Sequence, residues 1–213
     1  KAANKPQLLI NEVAQTAHTG GQSIIFVNSR KRSESLAQDL KEAGFRADWY
    51  HAGLTYEDRQ KRHRFMQQRE LDALISTSSL EMGVNFPARK VIVYDSYLFN
   101  GNRFGPITVG RYLQFAGRAG RPGLDSCGES VLFLPIWHKG AEDYEKALPE
   151  PITSGFTNRR ALEKEAITEV STRLSISLNH LSENFLSRTF YATEMASLYI
   201  SGVINELIQA DLI

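Results

Sequence analysis

The sequence predicts an α/β fold, a parallel sheet with helices on both faces, followed by a small, mostly helical domain. Three observations carry this reading. Short apolar runs without polar alternation, such as Ser23-Ile24-Ile25-Phe26-Val27, suit strands buried on both faces of a parallel sheet. These runs alternate with helical patterns of about ten residues, the signature of βαβ units. Beyond Leu148-Pro149-Glu150-Pro151 the strand signals stop and only helical spacing continues.

In order, the chain opens with a helix over 6–16 that sets Leu9, Val13 and Ala17 on one face and stops at Gly20-Gly21. A strand over 23–27 follows, then a helix over 31–43 closed by Gly44, a strand over 47–50 and a helix over 56–68. Strands over 72–76 and 91–94 come next, then a helix over 109–116 and a last strand over 130–134. In the second region 162–175 and 178–186 read as helices, and Ile200, Val203, Ile204, Leu207 and Ile208 recur at helical spacing. The expected domains are residues 1–148 and 149–213, the second cut off at Leu212-Ile213 with its apolar pattern still running.

Composition narrows the function classes. With 213 residues, 42% hydrophobic and 23% charged, the chain can bury a substantial core. A formal charge of +1 gives no overall pull towards a polyanion. Local basic runs over 59–64 and 111–121 are read first as solvated helix faces. The single Cys127 excludes an internal disulfide and predicts a reducing, cytoplasmic compartment, nucleoid-associated in a prokaryote. No apolar run approaches the roughly 20 residues of a membrane span, and five scattered histidines lack ligand spacing, so neither membrane nor metal site is expected.

The densest chemical signal is Gln114-Phe115-Ala116-Gly117-Arg118-Ala119-Gly120-Arg121-Pro122-Gly123. Two arginines three apart in a glycine-rich turn can project in one direction, with the backbone passing close to a ligand. Paired guanidiniums suit the spread charge of a transferring γ-phosphoryl group.

The whole string resembles motif six of superfamily-two helicases, and the other motifs follow in order. Ser23 to Arg32 is similar to motif four, His51-Ala52-Gly53-Leu54 to the next element, and Ser76 to Ala88 to motif five. The resemblance implies a RecA-like second motor domain of a DExH helicase in the Ski-like branch that includes archaeal repair helicases. Its implied activity is ATP-dependent unwinding of duplex or forked DNA, of the 3′–5′ type, in repair or replication restart. RNA processing within the same branch is the alternative, and a helicase-like scaffold is a second, against which the paired arginines speak. A dinucleotide-binding enzyme is excluded, since no Gly-x-Gly-x-x-Gly turn follows the first strand.

Carried over by position, the resemblance makes Arg118 and Arg121 the fingers on the γ-phosphate and Gln114 the coupling residue. Gly83 and Asn85 would approach the nucleotide; Ser29, Arg30, Thr77 and the backbone around His51 and Gly53 would touch strand phosphates. All are expected at or just after the carboxyl ends of parallel strands. Motif five departs from the branch at Ser78, Ser79, Glu81 and Met82, which puts its grip on the strand in question. Neither a Gly-x-x-x-x-Gly-Lys-Ser/Thr loop nor an Asp-Glu-x-His box occurs, so ATP and its Mg²⁺ are expected to need a first motor domain in cis, and this fragment alone should not hydrolyse ATP.

Between motifs five and six, Asn100-Gly101 is a turn signal flanked by apolar and aromatic residues with no evident core to enter. In the resembled branch a hairpin at this place is the strand-separating pin, which would make Phe99 and Phe104 base-stacking residues. Glu150 to Ser154 and Leu186 to Phe190 are similar to parts of that branch's winged-helix domain.

Overall fold

The computed structural model describes residues 4–77, 86, 88–99, 104–121, 123, 125–152, 154–189 and 197–210. Gly83, Asn85 and the four departing residues of motif five lie outside the described residues, as do Asn100-Gly101 and the side chain of Phe99. The chain divides into two compact units, Lys1–Glu150 and Pro151–Ile213.

In the first unit, β1 (Ser23–Phe26), β2 (Ala47–Tyr50), β3 (Ala73–Ser76), β4 (Lys90–Val93) and β7 (Glu129–Leu132) form one parallel sheet in the order β2-β3-β1-β4-β7. Every residue of β1, β3 and β4 is buried, which explains their unbroken apolar runs. Alternate side chains feed two cores. Ile24, Phe26, Val91 and Val93 pack with Met66 of α3 (Tyr56–Gln67) and Phe115 of α4 (Val109–Ala116). Ile25, Val27, Ile75 and Ile92 pack with Leu9 and Val13 of α1 (Lys5–His18) and Leu36 and Leu40 of α2 (Arg30–Glu42). Helices therefore cover both faces, as the sequence predicts.

β4 begins one residue earlier than its apolar run, at Lys90. This lysine is buried, with Nζ 2.7 Å from Glu12 and 3.0 Å from Glu129. Burial alone would lower its pKa, but the two carboxylates raise it above the ordinary value. A long-range pairing of this kind cannot be seen in a local hydrophobic pattern.

After β4 the chain forms an antiparallel pair, β5 (Tyr97–Phe99) and β6 (Phe104–Pro106), before α4; a short α5 (Ala141–Glu145) follows β7. The sequence reading missed α5.

The second unit holds α6 (Arg159–Ser171), a helical run that starts as α7 (Leu178–His180) and continues through 188 with altered winding, and α8 (Ser197–Gln209). Leu162, Ala166, Leu181, Leu186, Val203, Ile204 and Leu207 form its core. Arg159 pairs with Glu163 within α6 (2.7 Å) and with Glu206, and the second of these pairs ties α6 to α8.

Candidate functional site

Because all five strands run parallel, their carboxyl ends share one edge, with neighbouring strands about 4.8 Å apart. Along it lie, in sheet order, His51 and Gly53 after β2, Thr77 after β3, Ser29 and Arg30 after β1, and the β5–β6 hairpin after β4. Ser29 caps α2, its Oγ accepting from Arg32 N–H at 3.3 Å. Ser29 and Arg30 are exposed. The Arg30 side chain lies close to Gly53, where a Cβ would stand 3.0 Å from Nη1 and the side chain would have to shift by a few tenths of an ångström.

The His51 ring is turned inward. It is buried, its Nδ1 accepts from Gly53 N–H at 3.2 Å, and its Nε2 lies 2.9 Å from Glu34. With Nδ1 accepting, the proton sits on Nε2 and donates to Glu34. The imidazole therefore shapes the loop that presents Gly53, and only backbone remains to face a phosphate.

The arginine turn lies elsewhere. Ala88 N–H donates to Arg118 O at 3.1 Å and Gly120 N–H to Ala88 O at 2.7 Å, and Ala88 precedes the first residue of β4. Gln114, Arg118 and Arg121 therefore stand at the amino edge of the sheet, about a strand length (~13 Å) from the expected carboxyl edge. The physical reason is that the chain enters α4 beyond the carboxyl end of β4, where Ile107 N–H donates to Ser96 O at 2.8 Å, and leaves it beside Ala88, ahead of that strand. Gly128 closes the turn: a Cβ there would meet Ala119 backbone at 2.3 Å.

Gln114 is exposed, Arg118 half-buried and Arg121 buried. Asp125, which the sequence reading missed, grips Arg121 at two points, with Nε–Oδ2 2.7 Å and Nη2–Oδ1 2.8 Å, and also accepts from Arg121 N–H at 3.0 Å. These bonds hold Arg121 more firmly protonated than usual and hold the Asp125 carboxyl below the ordinary carboxylate range. The remaining Nη1 is buried and has no hydrogen-bond partner among the described residues.

The matched family decides what these edges belong to. The helicase conserved C-terminal domain matches residues 4–123, more than half of the chain. The chain belongs to that family. It is the second RecA-like domain of a superfamily-two helicase. The ATP-dependent DNA helicase Hel308 of Methanocella arvoryzae is 32% identical over 94% of this chain and 33% of its own length. The C-terminal domain of the DEAD-box protein Dbp5 superposes with a TM-score of 0.54 at 25% identity, over 69% of this chain and 77% of that one. Dbp5 of S. cerevisiae bound to RNA and ADP BeF3 gives 0.53 at 25% identity, over 67% and 34% respectively. The chain spans about a third of the length of the curated relatives it matches.

In this helicase C-terminal domain the hairpin is anchored, contrary to the expectation that its aromatics find no core. Leu98 packs against the main core. Tyr97 lies 5.2 Å from Trp137 and its hydroxyl 3.2 Å from His138 Nδ1. Phe104 stays 61% exposed. At the base of the hairpin α4 begins, its first amides donating to Glu150, Val109 N–H to Oε1 at 2.7 Å and Gly110 N–H to Oε2 at 3.1 Å. Burial pushes the Glu150 carboxyl up, but these amides outweigh it and hold it below its ordinary value. Trp137, His138 and Tyr144 had no local motif to reveal them. The basic run over 59–64 is partly structural: buried Arg62 pairs with Asp48 at 3.3 Å and Asp58 at 3.4 Å.

Proposed function

We propose that this domain is the C-terminal motor half of an ATP-dependent DNA helicase that unwinds duplex or forked DNA. The observation that carries the reading is the placement of two chemistries at opposite ends of one helix. α4 starts beside the hairpin at the carboxyl edge and ends in the arginine turn at the amino edge. The names of the Hel308 relatives support DNA as the substrate.

A nucleotide fits the amino edge, because Arg121 keeps one guanidinium nitrogen unspent while Asp125 orients the rest. Arg118 and Arg121 are the residues that would meet the γ-phosphate of ATP, with Gln114 reporting its state and Gly83 and Asn85 approaching its ribose side. The first motor domain, in cis, would supply the phosphate loop and the ligands for Mg²⁺. Ser29, Arg30, Gly53 and Thr77 would hold strand phosphates, and the hairpin with Phe99 and Phe104 would part the duplex. Alternation between open and closed clefts would then move one strand by population shift. Residues 149–213 we read as part of a winged-helix domain, and the exposed Cys127 suits a cytoplasmic setting.

The test uses the full-length protein with 98–104 shortened to a two-residue turn. DNA-stimulated ATPase should persist while unwinding of forked duplex falls strongly; wild-type unwinding at equal ATPase rate would sink the pin. RNA remains the second reading, because phosphate contacts do not see the sugar and Dbp5 is solved bound to RNA. Strand displacement on matched DNA and RNA duplexes separates the two, with faster unwinding of DNA expected.

A further inference from the structure

Beside the hairpin, the carboxyl edge bears an open groove of about 860 Å³ between β5–β6 and the segment that follows β7. Tyr97 and Phe104 line one side, Ile136 and Trp137 the other, and Asn28 and Lys5 the end nearest β1. Ile136 is 95% exposed, Trp137 70% and Phe104 61%. One such side chain on a surface is ordinary, but three around one groove mark a binding surface.

The electrostatics indicate the ligand. Asp95, the one carboxylate lining the groove among the described residues, is spent internally, accepting from Asn28 N–H at 3.2 Å and from Lys5 Nζ at 3.4 Å. Lys5 lines the groove, and exposed Arg30, Lys31 and Lys139 lie within three residues of its lining in sequence. An apolar, aromatic wall with a lysine at its end suits a chain of flat rings on an anionic backbone. The platform is also held in place, since Tyr97 contacts both Trp137 and Phe104 and is itself fixed by His138.

We infer that this groove seats unpaired bases of single-stranded nucleic acid beside the hairpin, with Trp137 as a stacking platform. The inference rests on the helicase reading above, and adds to it a base-contacting residue outside every motif. Phosphates gripped at Ser29 and Arg30 would leave the attached bases to turn into the groove entered at Asn28. Stacking is indifferent to sequence, as a translocating motor requires.

The experiment compares full-length wild type, Trp137→Ala and Trp137→Phe for binding an oligodeoxythymidylate and an abasic oligonucleotide of equal length. Trp137→Ala should weaken binding of the base-bearing strand by about five- to one-hundred-fold, with Trp137→Phe retaining most of it. The abasic strand should bind all three proteins alike. Photocross-linking from 5-iododeoxyuridine should map to Trp137 or Phe104. Equal binding of the base-bearing strand by wild type and Trp137→Ala, or cross-links that avoid both residues at saturation, would overturn the inference and leave the groove to a protein segment. If such a protein still unwinds duplex, the helicase reading survives. If wild type binds neither oligonucleotide, both fall together.

Discussion

At the carboxyl edge of the sheet Ser29 and Arg30 stand in solvent, whereas at the amino edge Arg121 is buried and clamped by Asp125. The two edges spend their charge differently. An exposed cation keeps its hydration until a phosphate arrives, so its contribution is screened by salt and reversible, which suits a strand that must be released at each step. A buried guanidinium held by a carboxylate has its orientation cost met during folding, which suits a group that must meet developing charge without rearrangement. Motif spacing treats both alike as motif arginines; only their surroundings separate the two proposed roles.

The largest effect should come from removing the amino-edge arginines. Arg118→Ala or Arg121→Ala in the full-length protein should lower ATP hydrolysis by roughly 10³- to 10⁵-fold, with single-strand binding changed only a few fold. Asp125→Ala should fall in the same direction, because Arg121 loses its two-point orientation while keeping its charge. Near-normal kcat in these variants would erase the distinction between the edges.

Gly128→Ala tests whether the turn is set by close backbone approach. The new Cβ would overlap Ala119 backbone, so the unfolding free energy should drop by about 1–3 kcal/mol, and hydrolysis should suffer more than strand binding. An Ala variant as stable as wild type would show that the turn can yield.

Arg30→Ala sharpens the comparison from the other side. Binding should weaken alike for all strand sequences, and the slope of log K against log salt should lose about one unit. The same slope for Arg30→Ala as for wild type would remove Arg30 from the phosphate path, while Thr77→Val should weaken binding without touching the slope.

The smallest effect is on acid stability. The carboxyls of Asp72, Asp125 and Glu150 all titrate below their ordinary values in the fold. For a depressed carboxyl, the stability it adds is complete above the unfolded pKa and is lost as pH falls through the folded one. Acid unfolding of the first unit should therefore begin below the ordinary carboxylate range, and Asp72→Asn, which loses the pair with Arg46 at 2.6 Å, should flatten that acid limb slightly.

Much of the fold was legible because burial on both faces leaves an unbroken apolar run, and β1, β3 and β4 have that pattern. The motif order was legible too, since each motif is contiguous. Less legible was where each motif would land. β3 ends at the carboxyl edge and β4 begins at the amino edge, so two motifs adjacent in function can sit a strand length apart. His51 shows a second limit: a motif residue can serve by holding its loop through Glu34 rather than by touching the ligand.

By itself the sequence determined the alternation of strands and helices, the family, and the chemical types available, because these depend on local periodicity and contiguous strings. The tertiary structure alone decided which edge each arginine occupies, that Asp125 and Glu150 spend their charge inside the first unit, and that Trp137 meets the hairpin across forty residues of chain. Those outcomes depend on the direction in which α4 returns and on partners distant in sequence, and no local pattern encodes a distance in space.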